Sequence, residues 1–323
     1  MTTFALWRKL LRDIRISLLL VAVLLFGFEI LWIKVVEQIT TQITPMLALL
    51  SGGRGMDGDF LLRLFFRGPG KIFQTILGGE NVQWGNPQDL IVVGFMHPLV
   101  QVIICIWAVG RSAGAIAGEI DRGTMELLIS QPIRRSQIVL AHWAIDLVTI
   151  PVLCLALWCG SLVGTASFSP FVVDDSIYTD LWLPKPAQPT VLSATALPVW
   201  PGLLNVAVLI FAISGYTMWL SAAGRSRNRV MGLAILITLL QFIINVIGQL
   251  WDGMTFLRPF SVFYYYQPQK VVLEHSWRID PGMAWTGKEL FKVNMLLVLG
   301  AVGLVGYAMA LRRFCRRDIP APL

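Results

Sequence analysis

The chain has 323 residues, of which 56% are hydrophobic and 14% charged, against about 25% charged in an ordinary soluble domain. With a mean hydropathy of +0.68, the charge is too sparse to cover a water-facing surface of this size, which excludes a soluble globular enzyme. The net charge of +7 would suggest a nucleic-acid partner in a soluble protein; here the placement of basic residues around apolar runs explains it, and no nucleic acid is expected.

From Thr3 to Ser17, Leu6, Leu10 and Ile14 recur at helical spacing opposite Arg8, Arg12 and Arg15. Residues 1–13 are therefore expected as a helix in the inner headgroup layer. The first of six runs long enough to cross a bilayer follows at about 14–34, and it carries Glu29. Its apolar stretch exceeds a secretory core and no small-x-small site follows, so it reads as a retained span. Residues 35–88 form a large outer loop. Within it Phe60, Leu61, Leu64, Phe65 and Phe66 surround Arg63 ahead of Gly68, Pro69 and Gly70, a pattern too apolar for a solvated loop and too broken for a span. An amphipathic interfacial or re-entrant helix is expected there.

The second run, at about 89–110, holds His97 and Gln101 beside Pro98; Pro98 is expected to kink it, as Pro151 is to kink the third. Gly110, Gly114 and Gly118 permit close helix packing. The loop at 111–137 then reads Ala117-Gly-Glu-Ile-Asp-Arg-Gly-Thr-Met-Glu-Leu-Leu-Ile-Ser-Gln-Pro-Ile-Arg-Arg135. With Thr124 as N-cap after Gly123 and Pro132 as terminator, it predicts a short helix over Met125–Ser130. Met125, Leu127, Leu128 and Ile129 would lie on the water side, either as a docking surface or folded against the chain's own helix ends.

The third run, at about 138–164, places His142 and Asp146 four residues apart. With Glu29 they are candidates for ion or substrate contacts, and the pair has the alternative of bonding to each other or to a basic loop residue. The outer loop at 167–195 is rich in Pro and acids and is expected to be irregular. The remaining runs lie at about 196–222, 230–250 and 291–311. In the fifth, Thr238, Gln241, Asn245 and Gln249 share one helix face. That stripe must meet protein or water, as a translocation-path lining, a homodimer seam or plain interhelical bonding. Gly282–Lys288 imitates the start of a phosphate-binding loop, but Glu289 replaces the Ser or Thr and no strand precedes it. Four cysteines without CxxC spacing, and the lack of HExxH and GxSxG, leave no catalytic residue, metal or disulfide framework to assign.

Fifteen of the 26 Lys and Arg residues, but only five of the 19 acids, fall on the side that carries both termini and the 111–137 loop. By the positive-inside rule that side is cytoplasmic. Trp32, Trp200, Trp251 and Tyr264–Tyr266 fall near the outer ends as an aromatic belt would. The fold class expected is an all-α integral membrane protein: one domain over 1–323, with six transmembrane helices, N-in and C-in.

The string Glu119-x-x-Arg122-Gly123-Thr124-x-Glu126-Leu127-Leu128-x-x-x-Pro132-x-x-Arg135 resembles the signature of ABC exporter permeases of the type-2 membrane family, in the branch with the permeases of nitrous-oxide-reductase maturation and sodium extrusion. The resemblance implies a multi-pass permease of the bacterial inner membrane that dimerises and pairs with a cytoplasmic ATP-binding subunit. It implies that ATP and Mg bind that partner, with no cofactor on this chain. It also implies that Glu119, Arg122, Gly123, Thr124, Glu126, Leu127, Leu128, Pro132 and Arg135 form the coupling helix and its frame. Two rivals remain at this stage: an ion-coupled secondary transporter using Glu29 and Asp146 without an ATPase, and a non-transporting membrane scaffold.

Overall fold

Residues 3–43, 86–173 and 191–317 are described by the computed structural model of the chain. The helix expected within 35–88 and the acidic part of the 167–195 loop lie outside the described residues. In chain order the helices are α1 (Thr3–Gln38), α2 (Pro87–Met96), α3 (Pro98–Ala115), α4 (Ala117–Asp121), α5 (Met125–Ile129), α6 (Arg135–Phe168), α7 (Trp200–Ala223), α8 (Arg227–Leu250), α9 (Pro268–Leu273), α10 (Pro281–Thr286) and α11 (Met295–Arg316). Two-residue strands pair antiparallel as β1 (Phe171–Val172) with β2 (Val191–Leu192), and β3 (Arg278–Ile279) with β4 (Val293–Asn294). The six spans are α1, α2 continued by α3, α6, α7, α8 and α11, one for each apolar run.

At 36 residues, α1 is about 54 Å long, well beyond a hydrocarbon core of about 30 Å. No break separates its basic first turns from the span, so the distinct helix expected over 1–13 is not a separate element. Its apolar stripe is already occupied by protein: Leu6 is buried and Leu10 packs beside it on a cluster with Met125, Ile138, Met218 and Phe314.

Close approach between spans is set by glycine. A Cβ on Gly215 of α7 would lie 2.4 Å from the Gly303 carbonyl oxygen of α11, and one on Gly306 would lie 2.3 Å from the Gly215 carbonyl carbon. Gly160 of α6 meets the Phe26 carbonyl oxygen of α1 at 2.5 Å in the same sense. Backbones at this distance gain dispersion contacts that a side chain would prevent. The Gly110, Gly114 and Gly118 series does not act in this way. Gly110 faces open space, while Gly114 and Gly118 lie alongside the Arg227 side chain.

Pro98 does interrupt its span: His97 leaves helical geometry, and its ring Nδ1 accepts from the Leu99 amide at 3.2 Å as the cap of α3. Pro151, by contrast, sits inside an unbroken α6. The end of the bundle away from α4 and α5 is closed by 3-10 turns at Asp252–Phe260 and Val262–Tyr264. There Tyr264–Tyr266 are buried rather than forming a belt. The Tyr266 hydroxyl donates to the Phe95 carbonyl at 2.5 Å, and the Asn205 amide to the Tyr265 carbonyl at 3.0 Å. Trp32 is buried as well, with its indole N–H on the Leu90 carbonyl at 2.9 Å, whereas Trp200 and Trp251 are exposed. The Gly282–Lys288 stretch forms α10, whose N-terminal Gly282 amide is taken by the Asp280 carboxylate at 2.7 Å, so it offers no phosphate cradle.

Candidate coupling and transport sites

The loop between the second and third spans is built on a break in α3. At Ile116 the helix leaves its path, and the Ser221 hydroxyl of α7 accepts from the Ile116 and Ala117 amides at 3.1 and 3.0 Å while donating to the Ala113 carbonyl at 3.0 Å. One buried hydroxyl thus satisfies the orphaned groups that the break creates. Beyond it α4 turns into α5 through Gly123, whose φ of +71° is a left-handed conformation that a β-carbon would strain.

Thr124 holds the N-cap position of α5, as the sequence suggests, but its side chain does not cap the helix. Its hydroxyl donates backward to the Glu119 carbonyl at 3.2 Å and to the Glu119 carboxylate, leaving α5 without a side-chain cap. Glu119 also accepts from Arg122 at 2.7 Å. Glu119, Arg122 and Thr124 therefore close the α4–α5 turn on itself. Met125 anchors α5 at 1% exposure, and Leu128 and Ile129 pack partly onto the same cluster, while Leu127 projects outward at 70% exposure with Glu126 beside it. Folding against the chain's own helix ends thus accounts for Met125 and, in part, for Leu128 and Ile129, and leaves Leu127 uncovered. Pro132 is exposed just beyond the helix. Arg135 turns away from α5, with its guanidinium donating to the Arg317 carbonyl at the end of α11. The loop is tied to α8 as well, where the Asp121 carboxylate accepts from the Arg227 amide at 3.3 Å.

Within the spans Asp146 pairs with Arg111 rather than with His142. Arg111, counted in the sequence as a loop residue, lies inside α3 with its side chain 5% exposed, 2.5 Å from an Asp146 carboxylate that is fully buried. The Tyr307 hydroxyl of α11 donates to the same carboxylate and accepts from Arg111 at 3.1 Å, while the His142 carbonyl accepts from Arg111 at 3.5 Å. Three spans, α3, α6 and α11, meet at this charge-assisted triad. Of the two alternatives offered by the sequence for the pair, bonding to a basic loop residue holds for Asp146, while Tyr307, far away in the chain and on no periodic polar face, gave no signal.

Glu29 is fully buried between α1 and α6, where the Ser161 hydroxyl donates to Oε2 at 3.1 Å and Oε1 has no hydrogen-bond partner among the described residues. It lies well apart in sequence from the Arg111 triad, and no hydrogen bond or ion pair links the two among the described residues.

The α8 stripe is divided. Thr238 bonds to the Tyr216 hydroxyl at 2.5 Å and donates to the Ala234 carbonyl at 2.7 Å. Gln241 is engaged with the 3-10 turns, its side-chain oxygen accepting from the Val262 amide at 3.1 Å and its carbonyl from the Ser261 hydroxyl at 2.7 Å. Asn245 accepts from Arg258 at 3.4 Å, and Gln249 is half-buried. Only Thr238 of these lines the groove between α3 and α8, a cavity of about 370 Å³ bounded by Gln101, Cys105 and Ile106 on one wall and Ile235, Leu239 and Phe242 on the other. Sequence reasoning missed this groove, whose α3 wall reads as an ordinary span. Gln101 donates to the Met96 carbonyl at 2.6 Å, so both polar side chains of the groove are satisfied within the chain and its lining is otherwise apolar.

No curated protein and no solved structure matches the chain. A family model described as ABC-2 family transporter protein matches residues 7–319. That match runs from the first turns of α1 past the end of α11 and takes in all six apolar helices. The chain belongs to the ABC-2 transporter family, as the multi-pass, membrane-spanning permease component of an ABC transporter rather than a catalyst in its own right.

Proposed function

We propose that the permease works in the bacterial inner membrane as a homodimer with two cytoplasmic ATP-binding subunits, and that it exports its substrate by alternating access. ATP and Mg belong to those partner subunits. The observation that carries this reading is α5: an apolar side chain, Leu127, held 70% exposed on a short helix that is pinned by Met125 on one side and closed by the Glu119–Arg122–Thr124 turn on the other. A side chain held out of its own core in this way is the form of a docking anchor, with Glu126 at its rim setting register by charge.

The preceding helix α4, which leads into α5 through Gly123, has two hydrogen-bonded connections to the spans, through Ala117 to Ser221 of α7 and through Asp121 to the start of α8. Movement of α5 driven by the partner would be delivered to α8, one wall of the apolar groove, and this is where we place the cargo path. The ion-coupled alternative loses one of its two residues, because the Asp146 carboxylate is already matched by Arg111. Glu29, with one oxygen unpartnered among the described residues, is the group it would have to use.

Replacing the exposed Leu127→Asp tests the reading. The variant is expected to bind the ATP-binding subunit at least about tenfold more weakly, the loss of a central anchor, with an unchanged thermal midpoint in detergent. Unchanged binding and transport would refute it.

A further inference from the structure

The end of α11 gathers arginines from three parts of the chain. Arg313 and Arg317 are one helical turn apart, on α11 and just beyond it. Both guanidinium bonds of Arg317 come from Nη1, to the Ala222 carbonyl at 2.9 Å and the Gly224 carbonyl at 2.7 Å, where α7 ends. Arg225 follows directly on Gly224, and Arg135 from the start of α6 donates to the Arg317 backbone carbonyl. No carboxylate pairs with Arg225, Arg313 or Arg317 among the described residues, whereas Lys34, Arg122, Lys270 and Lys292 each have an acid three or four residues away.

Three guanidinium groups brought together with no carboxylate paired to them among the described residues is a costly arrangement that a bound anion would relieve. Partial burial, with the charges of Arg225 and Arg313 next to it, holds the Arg317 guanidinium below its ordinary pKa. The carbonyl ends of α7 and α11 offset part of the crowding, being the negative poles of their helices. They also fix Arg317, so that its remaining nitrogens are presented rather than free to swing away. Arginine forks suit phosphate oxygens, which they can bridge in pairs. The position supplies the rest of the argument: α7 stops at Ala223 and α11 at Arg316, each at the end of a membrane-length apolar run, so Arg225 and Arg313, both exposed, stand at the depth of lipid headgroups.

We propose that Arg225, Arg313 and Arg317 form a binding site for a phosphate-bearing anion at the membrane surface, which an anionic phospholipid headgroup would occupy. Arg135 serves as a buttress, through the Arg317 carbonyl. The proposal does not depend on the identity of the cargo or on the coupling role of α5.

The test is native mass spectrometry of the full-length, delipidated protein titrated with phosphatidylglycerol, with phosphatidylcholine and with inorganic phosphate. Arg225→Gln with Arg313→Gln is expected to weaken phosphatidylglycerol retention about tenfold or more. Arg8→Gln with Arg12→Gln, which removes the same charge from α1, should leave retention unchanged. Arg225→Lys with Arg313→Lys keeps the charge but not the fork and should fall between the two, which separates loss of the site from loss of fold. Displacement of phosphatidylglycerol by inorganic phosphate would assign the site to the free anion, and resistance to displacement would assign it to the lipid. Equal weakening by the α1 and the α11 replacements would overturn the proposal, leaving a diffuse basic belt. It would equally be overturned if the Arg225 and Arg313 changes cost only the binding of the ATP-binding subunit and left phosphatidylglycerol in place.

Discussion

Asp146 lies eleven residues into α6, about 16 Å along the helix from its start, in a segment otherwise suited to lipid. Its charge is tolerated because Arg111 and Tyr307 reach it from two other spans. Asp146→Asn is therefore expected to cost about 3–5 kcal/mol, since it strands a buried guanidinium rather than merely removing a bond. Adding Arg111→Met should recover much of the loss, and thermal unfolding in detergent measures both. A second loss without recovery would show that Arg111 has another essential partner. The pair also shows what local reading of a sequence misses. Asp146 stood out because an acid inside an apolar run is costly, but its partner was counted with the loop, since Arg111 falls at the edge of a run and only tertiary packing draws it inside. Ser221 gave no signal at all: a serine in a span is common, and its role exists only because α3 breaks at Ile116, opposite it. Thr124 shows the reverse, an N-cap residue type whose hydroxyl was drawn away by a nearer carboxylate, Glu119.

At the level of elements, the glycine contacts decide which helices are neighbours. Gly306→Ala would drive a Cβ to 2.3 Å from the Gly215 backbone, which α7 and α11 can relieve only by separating. A destabilisation of about 1–3 kcal/mol is expected, read as a lowered thermal midpoint, while Gly110→Ala, facing open space, should leave the midpoint where it is. The sequence pointed to the wrong series, because three glycines spaced four residues apart are compatible with close packing wherever they occur, and only the neighbour across the gap tells whether a backbone or the side chain of Arg227 lies there. The spans themselves were legible, since a run of about 20 apolar residues has few alternatives to a membrane helix. So was α5, bounded by Gly123 and Pro132, whose left-handed turn and missing amide stop a helix on either side.

The whole molecule joins these parts into a simple chain of connections. The end carrying most of the arginine holds α4 and α5, which are fastened to α7 by Ser221, to α8 by Asp121 and to the remaining core by Met125. The opposite end is closed by buried tyrosines and short turns that hold α8 through Gln241. The apolar groove between α3 and α8 lies between these two attachments, so under the proposed coupling a tilt of α8 at its basic end would change the groove while its opposite end is held. The family resemblance was legible through one loop, but this groove was not, because its walls are two spans whose lining, apart from Gln101 and Thr238, is as apolar as lipid-facing helix. The central claim is that α5 takes its movement from a separate ATPase. It is tested most directly by tagging the chain, solubilising the membrane gently after crosslinking, and identifying what is recovered by mass spectrometry. The account predicts a protein with a phosphate-binding loop at near-stoichiometric yield, crosslinked at or beside Leu127. Full recovery of the permease with no ATPase attached would contradict it.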